Sequence, residues 1–180
     1  MELAGKRIAV LAENMYQEME LWYPVYRFRE AGATVTIVGT GSAKTYTSKV
    51  GYPVKVDADV ADVRAADFEA VIIPGGYAPD YMRRSKEMVE LVRQAAAQGK
   101  VVAAICHAGW MLCSADVIRG KRATSYFSIK DDMVHAGAEW VDQEVVRDGN
   151  IITSREPADL PAFCREIIAT LVREPALAAR

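Results

Sequence analysis

Histidine and cysteine are scarce in this chain, with two of the first and three of the second among 180 residues. The cysteines, Cys106, Cys113 and Cys164, are odd in number and form no C-x-x-C pair, so neither a disulfide framework nor a zinc site is indicated. Two histidines, His107 and His135, weaken a metal reading further, and no metal or cofactor is expected. Basic clusters are also missing. Charges of both signs interleave from end to end around a formal charge of -2 and a pI near 5.8, which leaves no stripe to track nucleic-acid phosphates. Long apolar runs are absent too: the opening "MELAGKRIAVLAEN" holds only five or six such residues in a row, too few for a membrane span or for the hydrophobic region of a signal peptide. A cytoplasmic protein with neither a nucleic-acid nor a membrane partner is expected.

What is present is apolar periodicity. Hydrophobic residues make up 51% of the chain, enough to bury a core within one domain spanning 1–180. "RIAVLA" (7–12) reads as a buried strand, and Leu21, Val25 and Phe28 recur behind it at helical spacing until Gly32. "TVTIVG" (34–39) is a second strand, and residues 44–57 alternate around Val50-Gly51 as a hairpin apart from the main sheet. "DFEAVIIPGG" (67–76) is a third strand ending in Pro-Gly-Gly; residues 85–98 form a helix closed by Gly99; "VVAAI" (101–105) is the fourth strand. A helix opening near Cys106, a short strand at 123–125 and a polar helix near "SIKDDMVHAG" follow. A strand pair turning at Asp148-Gly149 and a last helix after Pro157 complete the pattern. Strands alternating with helices imply an α/β three-layer sandwich with a mostly parallel, flavodoxin-like sheet, whose ligands sit beyond the carboxyl ends of the strands.

Three segments, "AENMYQEMEL", "PGGYAPD" and "ICHAG", each follow a buried strand and should meet at that edge. Cys106 stands where a strand passes into a helix. There it is either a nucleophile held at an elbow, facing the positive helix end that favours thiolate, or a small buried hydrophobe. Gly75-Gly76 offers unshielded amides for an oxyanion, or simply a tight turn. Glu20, beside the inward-facing Leu21 and Val25, is either a partly buried carboxyl able to donate to a thiolate or a solvated acid of a first helical turn. Pro24 fits such an early position better than a helix interior. Adjacency alone does not make His107 a base for Cys106, because neighbouring side chains diverge on a strand or a helix.

Taken together, "EMELWYPVYRFREAG", "GYPVKVD", "VIIPGG.AP", "GK.VAAICH", "TSY..IKDDM..AGAEWVD" and "SR.PADLPAF" resemble the PfpI intracellular protease family of the ThiJ/PfpI superfamily, which shares the class I glutamine amidotransferase-like fold. The resemblance covers nearly the whole chain. It implies that Cys106 is the nucleophile in a strained conformation, that Glu20 hydrogen-bonds the thiol, and that amides around Gly75, Gly76 and His107 serve the oxyanion. It further implies that His107 projects towards a subunit boundary and is oriented there by Asp80 of a neighbouring subunit, and that Tyr126 lines the pocket. A homodimer or larger homo-oligomer, up to a hexamer, follows from such a shared site. The chain departs from the family pattern at Asp80, where glutamate is usual, at Ala108-Gly109, where Gly-Pro is usual, and at Tyr77, where relatives vary.

A glutaminase is excluded, since its distant His-x-Glu dyad is missing: Ala136-Gly137 follows His135. His135 is expected on the surface. The resemblance leaves three activities open. One is glyoxalase or deglycase chemistry of Cys106 on small reactive aldehydes such as methylglyoxal or their adducts. Another is peptidase or amidase hydrolysis of a peptide substrate. The third is a non-catalytic redox or chaperone role through oxidation of Cys106.

Overall fold

The computed structural model describes residues 1–173. Its elements run β1 (Arg7–Ala12), α1 (Glu18–Glu30), β2 (Thr34–Gly39), β3 (Thr45–Thr47), β4 (Pro53–Lys55), β5 (Ala58–Asp59), β6 (Ala70–Ile73), α2 (Ala78–Met82) and α3 (Lys86–Ala97). They continue with β7 (Val101–Ile105), α4 (Gly109–Ala115), β8 (Arg122–Ala123), α5 (Lys130–His135), β9 (Glu139–Trp140), β10 (Val145–Asp148), β11 (Ile151–Ser154) and α6 (Leu160–Arg173).

Seven strands form one sheet in the order β10-β11-β7-β6-β1-β2-β5, parallel except for the β10–β11 pair. The residues of β6 and β7 are all buried, as strands covered on both faces must be, and this is why they read as unbroken apolar runs. Helices α1 and α6 pack together against the sheet, and α3 and α4 form a second such pair. Strands β3 and β4 make the separate hairpin, antiparallel with Tyr46 opposite Val54.

The chain leaves β1 in one direction to build β2 and β5, then returns to the other side of β1 to lay down β6 and β7. A crevice therefore opens between the ends of β1 and β6, the place where open α/β sheets hold their ligands.

Several local expectations change. Pro24 lies inside α1, not at its start. Lacking an N–H, it leaves the Glu20 carbonyl without its helical partner, but Pro24 is buried with Leu21, Val25 and Phe28, and packing offsets the lost bond. The third strand is confined to Ala70–Ile73, because Ala65–Asp67 forms a 3₁₀ turn before it. The short strand predicted at 123–125 sits at Arg122–Ala123 and pairs with the unforeseen β9. The β10–β11 turn falls on Gly149-Asn150, one residue later than expected.

Candidate active site

Cys106 begins a 3₁₀ turn, Cys106–Ala108, that joins β7 to α4. Its φ is +62°, a left-handed conformation that costs a non-glycine residue about 1–2 kcal/mol. The surrounding structure enforces it, and strain of this kind is a signature of functional positions. Ala108, where the family usually carries glycine, has an ordinary helical φ of -63°, so its Cβ imposes no strain on the elbow. Gly109 lies close under α5: a Cβ there would come within 2.5 Å of Met133 Sδ, and that side chain would have to shift.

Glu20 reaches the thiol from α1. Gln17 caps that helix by accepting from the Glu20 amide at 2.9 Å, which fixes the first turn. The Glu20 side chain is fully buried, and its Oε2 accepts a hydrogen bond from the Gly75 amide at 2.7 Å. Oε1 is buried without a conventional hydrogen bond. Burial raises the Glu20 pKa to about 7, against the opposing pull of the Gly75 amide, the Cys106 thiol and the Lys49 charge. A carboxyl poised there can hold or release a proton at neutral pH.

Gly75 thus gives its amide to Glu20, and the expectation that it serves an oxyanion is revised. A side chain at this position would displace the elbow or the carboxyl: a Cβ would lie 2.6 Å from Glu20 Oε2 and 2.8 Å from Cys106 Cβ. Gly76, at φ +74°, would drive a Cβ to 2.5 Å from the Met15 carbonyl. The amides of Gly76 and His107 are the pair that point at the Cys106 sulfur, where they favour thiolate.

The sulfur itself is dominated by the opposite influence. Burial, together with the charge on Glu20, pushes the Cys106 thiol up to about 12, so the helix-end position does not by itself supply a thiolate. One proton is shared across the pair. Thiolate forms when Glu20 keeps that proton.

His107 Nδ1 lies 3.1 Å from Cys106 Sγ, and Nε2 lies 3.1 Å from Ser128 Oγ. Burial depresses the His107 pKa, helped by the charge of Lys49, and keeps the ring neutral at pH 7. If Nε2–H donates to Ser128, Nδ1 is free to accept the thiol proton. Tyr126 stacks on the imidazole at 5.1 Å between centroids, with Trp110 edge-on at 5.2 Å and the largely exposed Tyr77 at 6.0 Å. Within this chain Asp80, on α2, pairs with Arg84.

Cys106, His107, Glu20, Gly76, Tyr77 and Tyr126 line one cavity of about 350 Å³, at the small end of ligand pockets. Four further residues of its wall, Gln17, Lys49, Glu156 and Pro157, and the His107 partner Ser128 escaped sequence reasoning. Gln17 alone carried a local signal, as a polar residue just ahead of an acidic first turn. Cys164 is buried in α6, Cys113 is half-buried in α4, and His135 is exposed.

An α/β protein with a strained cysteine elbow beside the switch point of a mostly parallel sheet is the class that fold and site define. The DJ-1/PfpI family profile matches residues 6–170, and the chain belongs to that family. It is 45% identical over 165 residues to Deglycase PH1704 of Pyrococcus horikoshii, covering 92% of this chain and 99% of that protein. It is 41% identical over 167 residues to the putative cysteine protease YraA of Bacillus subtilis, covering 93% and 99%. Among solved structures, Drosophila melanogaster DJ-1beta superposes with a TM-score of 0.87 at 32% identity, over 94% of this chain and 91% of that one.

Proposed function

We propose that this chain is a cysteine-dependent glyoxalase or deglycase acting on small reactive aldehydes or their adducts, with Cys106 as nucleophile. The observation that carries the reading is the Cys106–Glu20 pair in a small cavity: a strained thiol against a buried carboxyl with a pKa of about 7. Relatives whose names include deglycase support it. With methylglyoxal, the thiol proton passes to Glu20 or His107 and the sulfur bonds to the aldehyde carbon. The carbonyl π electrons move to oxygen, which takes up the proton to give a hemithioacetal. Amides of Gly76 and His107 steady the developing oxyanion. Glu20 then removes the proton from the former aldehyde carbon to give an enediol and returns it to the adjacent carbon, while the hydroxyl proton passes from the first oxygen to the second, leaving a thioester of lactate. Water cleaves the thioester, releasing lactate and the free thiol.

The contact between His107 Nδ1 and the thiol favours a second reading, an amide-cleaving peptidase, since it provides the acid that a leaving amine needs. The name of the Bacillus subtilis relative agrees with it. Folded polypeptide does not fit the cavity, so short or extended peptides would be its substrates.

The reading includes a homodimer or larger assembly in which Asp80 of a neighbouring copy approaches His107. Met19, Tyr23, Tyr26 and Tyr52 are exposed around one apolar groove near α1, a patch of the kind that subunit contacts cover. Among the described residues no helix is long and apolar enough to cross a membrane.

The test is conversion of methylglyoxal to lactate without glutathione by wild type, Cys106→Ala and Glu20→Gln. Lactate is expected from wild type and none from Cys106→Ala. No lactate from a wild-type protein whose Cys106 alkylates rapidly would overturn the aldehyde reading and leave the peptidase.

A further inference from the structure

Lys49 enters the Cys106 cavity from the loop between β3 and β4, far in sequence from the elbow. That loop is a built turn. The Lys49 amide donates to the Tyr16 carbonyl at 3.1 Å and the Ser48 amide to the Tyr52 carbonyl at 2.8 Å, while Ser48 Oγ accepts from the amides of Val50 and Tyr52 at 3.2 and 3.0 Å. Lys44 pairs with Asp59 and Lys121 with Asp148. Among the described residues Lys49 has no such partner. Its side chain is exposed at the cavity mouth, and its charge acts on both Glu20 and His107.

Besides the Cys106 thiol and the phenols of Tyr77 and Tyr126, the titratable groups on the cavity wall are Lys49, Glu156, Glu20 and His107. With His107 neutral, Lys49 is the cation among them. A cation that reaches the two groups flanking a nucleophile, and is not neutralised by an ion pair, is placed to meet an anion on the molecule being attacked.

We propose that Lys49 is the specificity residue of this pocket, selecting carbonyl compounds that carry a carboxylate on the carbon Cys106 attacks, as small 2-oxo acids of the glyoxylate type do. The inference rests on Cys106 being the nucleophile. The thiol adds across the carbonyl, forming the S–C bond while oxygen takes the thiol proton, and Lys49 holds the carboxylate throughout. A neutral aldehyde of similar size gains nothing from Lys49.

Iodoacetate and iodoacetamide reproduce this contrast outside any turnover assay. In each, thiolate displaces iodide from a carbon bearing either a carboxylate or a neutral amide. The rate of Cys106 alkylation by each reagent is read by peptide mass spectrometry, with Cys113 and Cys164 as internal references, in wild type, Lys49→Gln, Lys49→Arg and Lys55→Gln. Lys55→Gln makes the same charge change on β4 at a residue outside the cavity wall. The iodoacetate-to-iodoacetamide rate ratio at Cys106 is expected to fall roughly threefold to tenfold in Lys49→Gln, as one unit charge a few ångströms away in a wet pocket should give. It should recover in Lys49→Arg, stay unchanged in Lys55→Gln, and shrink with added salt in wild type. An unchanged ratio in Lys49→Gln, or an equal fall in Lys55→Gln, overturns the role of Lys49 while leaving Cys106 as nucleophile. A Cys106 that reacts with neither reagent removes both.

Discussion

The sulfur of Cys106 and Nδ1 of its chain neighbour His107 lie 3.1 Å apart, although consecutive side chains diverge in any regular strand or helix. The positive φ of Cys106 breaks that rule. It turns the thiol back over the elbow, and the imidazole follows, held from its far side by Ser128. A single backbone angle thus converts two adjacent residues into a candidate nucleophile and base.

The shared proton makes the reactivity of Cys106 follow the pair. The reactive form, thiolate beside a protonated Glu20, holds one proton fewer than the form in which both groups are protonated. Alkylation by iodoacetamide should therefore rise with pH through about 7, the Glu20 value, and then level. In Glu20→Gln that inflection should vanish, because the amide cannot accept the thiol proton. Stopped-flow alkylation from pH 5 to 10 checks this; an unchanged inflection in the variant would assign it elsewhere.

Glu20 should also cost stability as pH rises. Its folded pKa is raised from 4.5 to about 7, so between those values the folded state binds more protons than the unfolded one. Stability then falls with increasing pH across that window, by up to about 3 kcal/mol. Glu20→Gln removes the titration. Denaturant unfolding should show wild type and variant alike in their pH slope below pH 4, and the variant gaining on wild type by about that amount at pH 8. Parallel curves would contradict the buried-carboxyl account.

Gly75→Ala should damage fold and site together. Its Cβ would collide with Glu20 Oε2, Cys106 Cβ and the Ile105 carbonyl at 2.6 to 2.9 Å, two of them atoms of the elbow. A loss of about 1–3 kcal/mol in unfolding free energy is expected, together with loss of the inflection near pH 7. Wild-type alkylation in this variant would mean that the elbow tolerates displacement.

Ser128 holds His107 within this chain, and the proposed assembly adds Asp80 of a neighbouring copy. Ser128→Ala should slow turnover about tenfold with little change in KM, since it frees the ring without touching the cavity wall. Asp80→Ala should slow only the assembled protein. Sedimentation and activity measured on the same dilution series separate the two effects: wild-type activity that persists in a monomer would dismiss Asp80.

Much of the fold was legible because β1, β6 and β7 are buried on both faces and so read as apolar runs. The meeting of Glu20, Gly76 and Cys106 followed from each standing just beyond such a run. Pro24 misled because a proline's preference for the first helical turn is a local tendency, which a buried ring can override. Gly75 misled because an unshielded amide reveals nothing about its acceptor, and Glu20 claims it. Lys49 arrives on the turn of the β3–β4 hairpin and Ser128 on the 3₁₀ turn Phe127–Ile129 ahead of α5, segments whose positions depend on how they dock against the elbow. No periodicity marks such residues.

The crevice at the chain reversal has a temporal side. Its wall draws on residues from Gln17 to Pro157, so during synthesis the elbow emerges well before Glu156 and Pro157, which complete the enclosure. Until strands β1, β6 and β7 have joined, Cys106 has neither Glu20 nor the Gly76 amide beside it and behaves as an ordinary thiol. The coupling of the thiol proton to a carboxyl near 7 is thus a property of the completed fold, absent from the nascent chain.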